Sequence, residues 1–145
     1  NLVPDFAGKI ISVYMRQFAD NLGGQFEQTL RRFLALQTLG SESAHAVLAE
    51  MKHILFAHGR PSALEAALAV LESSDVRHEL PQLHLPTHLS YGQRDALTPI
   101  GAARWLASTI AGSTLTEFPQ ASHAPFLSHE AEFVADLIPF LQRHA

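Results

Sequence analysis

The hydrophobic period changes at Pro81, and that change limits what the chain can fold into. Upstream of it, every periodic stretch repeats at i, i+3/i+4 and i+7, the spacing of one helical face. Residues 9 to 22 place Ile10, Ile11, Tyr14, Met15, Phe18 and Leu22 on such a face, and Gly23-Gly24 ends it. A second stretch turns Leu30, Phe33, Leu34 and Leu36 inward, with Gly40 as the residue just past its C-cap. Ser41 or Ser43 is placed to cap a third helix, with Ala44, Val47, Leu48, Met51, Ile54 and Leu55 on one side, and Gly59 stops it. Ser62 with Glu65 three residues on is a capping-box pattern, opening a fourth helix with Leu64, Leu68 and Leu71 inward.

Pro81 to Pro86 opposes both a helix and a central strand and reads as a linker. Downstream the pattern alternates. Thr87–Tyr91 is a short strand, Gly92–Asp95 a turn, and Thr98-Pro99 an N-cap followed by proline at the first helical position. That helix runs through Ala102, Ala103, Trp105, Leu106 and Ile110 and closes at Gly112. Thr114–Phe118 is a second strand and Pro119 to Pro125 a loop. Ser128 is read as the cap of a last helix, with Phe133, Leu137 and Phe140 or Leu141 inward and Pro139 expected to kink it or end it early. A helix between two strands is the connection that parallel pairing requires. The expected fold class is therefore α/β, an α-helical unit over 1–80 followed by a strand–helix–strand–helix segment over 81–145.

Composition narrows the chemistry. The chain has 145 residues, 47% hydrophobic and 17% charged, enough to bury a core. It contains no cysteine, so disulfides, thiol nucleophiles and thiolate metal sites are excluded; the lack of cysteine fits a reducing cytoplasm. Ten Lys and Arg against fourteen Asp and Glu leave a net charge of −4, which opposes non-specific nucleic-acid binding. No apolar run reaches the length of a transmembrane helix, so no membrane partner is expected. His84 and His88 have the i, i+4 spacing of a helical metal pair, but Pro86 between them opposes that helix, and no metal site is expected. The opening Asn1-Leu2-Val3-Pro4-Asp5 has no Met, no basic segment and no apolar segment, so the protein is expected to extend upstream of it.

Asp95 and His123 each follow a strand. If those strands are adjacent and parallel, both side chains emerge at the carboxyl edge of the sheet, where functional loops of such sheets lie. A carboxylate beside an imidazole fixes its tautomer and stabilises its protonated form, the arrangement that activates a serine hydroxyl. Asp in a turn is also common for local reasons, because its side chain caps the turn, so spacing alone leaves both readings open.

The local words point further. Tyr91-Gly92-Gln93-Arg94-Asp95-Ala96-Leu97-Thr98-Pro99 resembles the acid loop of the α/β-hydrolase family, and Ala121-Ser122-His123-Ala124-Pro125-Phe126 resembles its histidine loop, with a small residue before the His. Arg32-Phe33-Leu34-Ala35-Leu36-Gln37-Thr38-Leu39-Gly40-Ser41-Glu42 is similar to the cap segment of the esterases of that family that act in biotin synthesis. The resemblance runs from about Gln17 to about Phe133. It implies a four-helix cap over 1–80 and the C-terminal segment of the hydrolase core over 81–145. It implies Asp95 and His123 as catalytic residues, Phe33 as lining an acyl channel and Arg32 as gripping the carrier. The implied substrate and partner is an acyl-carrier protein bearing a pimeloyl methyl ester, with no metal or organic cofactor. No serine in the sequence has the G-x-S-x-G flanks of the nucleophile elbow, so the nucleophile is expected in a missing N-terminal half. The cap departs from the pattern at Gln28, His45 and Ala49, where the family carries arginine. The other readings are a different capped hydrolase, acting on general carboxylesters or on carbon–carbon bonds, and a non-catalytic helical interaction module.

Overall fold

The computed structural model describes residues 18, 20–21, 24–40, 44–57 and 63–145. Phe18, Asp20 and Asn21 are helical; the rest of the helix expected over 9–22, the caps at Ser41 and Ser43 and the stop at Gly59 lie outside the described residues. Three helices follow: α1 (Phe26–Thr38), α2 (Ala44–Phe56) and α3 (Leu64–Ser73). After a 3-10 turn at Leu80–Gln82 come β1 (His88–Gly92), α4 (Ile100–Thr109), β2 (Thr114–Phe118), the single turn α5 (Pro125–Ser128) and α6 (Glu130–His144). The two strands are parallel and in register from His88↔Thr114 to Gly92↔Phe118, joined by α4 as the alternation predicts.

The helical part closes around Phe18, Leu30 and Leu68, with Phe26, Phe33, Leu55 and Leu64 packed against them. The Phe18 and Phe33 rings lie 4.8 Å apart. Gly40 sits at φ +85, a conformation in which a Cβ is strained, and so ends α1 as expected of a glycine just past the C-cap. Two inward assignments fail. Leu71 is 67% exposed and Ile54 56% exposed, because among the described residues α3 meets the cluster through Leu64 and Leu68, and α2 through Leu55. Ala63 precedes α3; Ser62 of the capping-box pattern lies outside the described residues.

In the second half, Ala103, Ile110 and Phe118 are buried and bind α4 to the strands. The opposite arrangement, a polar sheet face, meets α6. His88 and Ser90 on β1 pair in register with Thr114 and Thr116 on β2, so all four project from one face of the sheet. Asp136 of α6 lies across them. It accepts from His88 Nε2 at 2.7 Å, from Ser90 Oγ at 3.2 Å and from Thr116 Oγ1 at 2.7 Å, while His88 Nδ1 meets Thr114 Oγ1 at 2.7 Å. Phe140 stacks on the His88 ring. His88 is thus part of a strand and committed to a carboxylate, not one of a metal pair with His84.

Two helix ends differ from expectation. Pro139 lies inside α6, which runs on to His144. Both Pro139 and Ala135, the residue whose carbonyl the proline leaves unpaired, face solvent, where water serves that carbonyl. Ser128 does not cap α6; it ends α5, its hydroxyl 3.1 Å from Ala124 O and 2.8 Å from His129 Nδ1, and His129 occupies the N-cap position without a side-chain cap bond.

Burial pushes the Asp136 carboxyl up, but hydrogen bonds from His88, Thr116 and Ser90 and the adjacent imidazole outweigh it and hold the group below the usual carboxylate range. A depressed carboxylate stabilises the fold above its unfolded pKa, about 4, and that contribution is lost as pH falls through the folded value. Asp136→Asn is expected to lower stability at pH 7 by about 2 kcal/mol. It should also flatten the loss of stability below about pH 4. Urea unfolding of wild type and variant across pH 3 to 7 measures both.

Candidate active site

The two loops at the carboxyl edge of the sheet are laced together before any side chain is considered. Past β1, Gln93 N–H donates to Phe118 O at 3.0 Å and Arg94 N–H to Ala121 O at 3.0 Å. At Gly92 the backbones approach so closely that a Cβ would lie 2.0 Å from Ser122 O and 2.5 Å from Ala121 O. Only glycine permits this packing, whatever its φ. The turn therefore delivers Asp95 beside the loop that carries His123.

Asp95 is buried, with its side chain 3% exposed. Its Oδ1 accepts from the backbone N–H groups of Leu97 at 2.8 Å and Thr98 at 2.9 Å, an Asx-type closure of the turn. Its Oδ2 accepts from Thr98 Oγ1 at 2.5 Å and faces His123 Nδ1 at 2.8 Å. Burial pushes the Asp95 carboxyl up, but hydrogen bonds from His123 and from the side chain and backbone of Thr98, with the nearby imidazole charge, hold it below the usual carboxylate range. An ionised Asp95 places the proton of a neutral His123 on Nδ1 and leaves Nε2 as an acceptor. The His123 side chain is 36% exposed, so its ring runs from the buried carboxylate out to the surface. Next to the pair, burial first and the Asp95 charge second raise the Tyr91 phenol above its ordinary value, against a smaller opposing pull from the neighbouring Thr98 hydroxyl.

The helical part reaches this site through the end of α1. Gln37 O accepts from Ser122 Oγ at 2.7 Å and from His123 N–H at 3.1 Å. Arg94 Nη1 donates to Gly40 O at 2.8 Å. The unpaired carbonyls that every helix leaves at its C-terminus are here satisfied by the two loops of the sheet. The sequence analysis singled out neither Gln37 nor Ser122. The burial of Gln37, a polar residue on the inward face of α1, is a signal that only the tertiary structure carries. Thr98, expected to cap α4, does not; Pro99 holds the cap position and the Thr98 hydroxyl goes to Asp95.

Of the two cap residues, Phe33 is half-buried against Phe18 and lies one helical turn before Gln37 on the same side of α1. Arg32 is exposed. Arg31, beside it, is ion-paired with Glu27. Among the described residues no three His, Asp or Glu side chains converge as a metal site requires, and no helix is long and apolar enough to cross a membrane.

No family model matches the chain. Curated relatives do. It is 52% identical over 127 residues to the pimeloyl-[acyl-carrier protein] methyl ester esterase of Chromobacterium violaceum, covering 88% of this chain and 50% of that protein. It is 38% identical over 133 residues to the enzyme of the same name from Aliivibrio fischeri (90% and 52%) and 41% identical over 121 residues to that of Nitrosomonas europaea (81% and 48%). The chain thus spans about half the length of the curated relatives it matches. Among solved structures it is similar to an esterase from Exiguobacterium antarcticum, with a TM-score of 0.78 at 20% identity, over 90% of this chain and 48% of that one. A thermophilic esterase from Thermogutta terrifontis gives 0.78 at 21% identity, over 94% and 52%. At such identities the likeness is one of fold.

The close approach at Gly92 yields a test. Gly92→Ala should force the His123 loop away and lower stability by about 3 kcal/mol, the upper range for overpacking a rigid site. Denaturant unfolding of the variant measures it, and a change within about 0.5 kcal/mol would mean that the loop yields freely.

Proposed function

We propose that this chain, a member of the α/β-hydrolase family, contributes the acid and the histidine of a serine carboxylesterase. The substrate is the methyl ester of pimeloyl-acyl-carrier protein, in biotin biosynthesis. The observation that carries this reading is the 2.8 Å contact of buried Asp95 Oδ2 with Nδ1 of the partly exposed His123 at the carboxyl edge of a parallel sheet. The substrate comes from the relatives, which carry that activity in their names.

In this proposal residues 1–80 form the cap and 81–145 the end of the core. The nucleophilic serine and the oxyanion hole come from the part of the relatives' length that this chain does not span. His123 Nε2 takes the proton of that serine as it attacks the ester carbonyl and gives it to departing methanol. It then takes a proton from the water that releases the free carboxylate and regenerates the serine. Asp95 keeps the ring in the Nδ1–H tautomer and stabilises the imidazolium. Phe33 lines the acyl channel; its position one turn before Gln37, whose carbonyl binds the histidine loop, supports that reading. Exposed Arg32 meets the acidic carrier protein. A cytoplasmic setting accords with the cysteine-free sequence.

Two measurements on the full-length protein test this. Asp95→Asn should keep the fold and reduce kcat by about 10⁴-fold, with His123→Ala at least as severe. Near-normal ester hydrolysis by either variant would remove the assignment. Arg32→Glu should raise KM for the carrier-linked ester by about fivefold at low salt and less at high salt, while leaving a small free ester unaffected. Equal losses on both substrates, or no dependence on salt, would leave Arg32 without a role in carrier recognition.

A further inference from the structure

We infer that Thr98 is a positioning residue for the Asp95–His123 pair, its hydroxyl holding the carboxylate oxygen that His123 binds. The inference rests on the proposed esterase reading for its effect on activity, though not for its geometry. Thr98 engages both oxygens of Asp95, its backbone N–H on Oδ1 at 2.9 Å and its Oγ1 on Oδ2 at 2.5 Å. That same Oδ2 receives His123 Nδ1 at 2.8 Å, and Oγ1 stands 3.5 Å from Nδ1, too far to compete for its proton.

A carboxylate held only by Leu97 and Thr98 N–H groups on Oδ1 could still rotate Oδ2 about the bond to its Cβ. The Thr98 hydroxyl removes that freedom, because it binds Oδ2 from the residue whose own N–H binds Oδ1. Asp95 is nearly enclosed, so water is a poor substitute for the missing donor. The sequence pattern asks only for a hydrophobic residue and a proline after the acid, so the hydroxyl at 98 is a feature of this chain's structure. Thr98 touches neither substrate nor the reacting atoms. It acts through Asp95.

The test uses the full-length protein with Thr98→Val, which keeps the shape and removes the hydroxyl, and Thr98→Ser, which keeps the hydroxyl. Thr98→Val should lower kcat about tenfold with KM unchanged, the size expected when a charged acceptor loses one donor. The low-field proton signal of His123 Nδ1–H should shift or broaden in Thr98→Val and return in Thr98→Ser, together with kcat. Thr98→Ala takes the place of Thr98→Val if the latter does not fold. Wild-type kcat and an unchanged His123 signal in the hydroxyl-free variant would overturn the inference. So would a Thr98→Ser variant as impaired as Thr98→Val, since packing of the methyl would then be the cause. Asp95→Asn and His123→Ala run beside these: normal hydrolysis by either would sink the esterase reading, while the His123 proton signal would still decide the role of Thr98.

Discussion

Parallel pairing of β1 with β2, from His88↔Thr114 to Gly92↔Phe118, sets the position of almost everything else in this half of the chain. Both strands end at the same edge, so the turn after Gly92 and the loop after Phe118 start side by side. The absence of a Cβ at Gly92 then lets the second loop fold onto the first at a distance no other residue would allow. Two backbone hydrogen bonds, at Gln93 and Arg94, close the seam. The 2.8 Å meeting of Asp95 with His123 follows from this backbone arrangement and not from attraction between the side chains alone.

The sheet carries two carboxylate–histidine pairs, and they differ in a way that separates structure from chemistry. Asp136 with His88 lies across the sheet face, and both imidazole nitrogens are occupied, one by Asp136 and one by Thr114. Such a ring has no nitrogen left for a substrate proton, so it serves as a strut between α6 and the strands. Asp95 with His123 has one nitrogen engaged and a ring reaching solvent. The same two residue types thus stabilise in one place and leave a base available in the other. In both, burial alone would raise the carboxyl pKa, and the donors gathered around it reverse that effect.

The end of α1 joins the two halves. Helices leave their last carbonyls unpaired, and here Gln37 O and Gly40 O find partners in Ser122, His123 and Arg94. A movement of α1 is therefore felt at the His123 backbone. Phe33, one turn before Gln37, links this end of the helix to the apolar cluster around Phe18, so the helical packing and the loop geometry share one rigid element.

The sequence by itself determined the alternation of elements, the parallel crossover and the end of α1 at Gly40, because these depend on periodicity and on local backbone preference. It also marked Asp95 and His123, through the local words around them, while the pairing that brings the two to one edge came from the structure. Other features needed the tertiary structure. Thr98 and Ser128 read as helix caps, yet each hydroxyl took other partners, Asp95 for one and Ala124 O with His129 Nδ1 for the other, because local propensity cannot weigh a partner supplied by the fold. Leu71 and Ile54 continued an apolar period past the point where a neighbour existed to cover them. Pro139 could remain within α6 because the carbonyl it leaves unpaired faces water. The link from Gln37 to the histidine loop had no sequence signature at all, since a backbone carbonyl belongs to every residue and only the packing of α1 against the sheet decides which one is used.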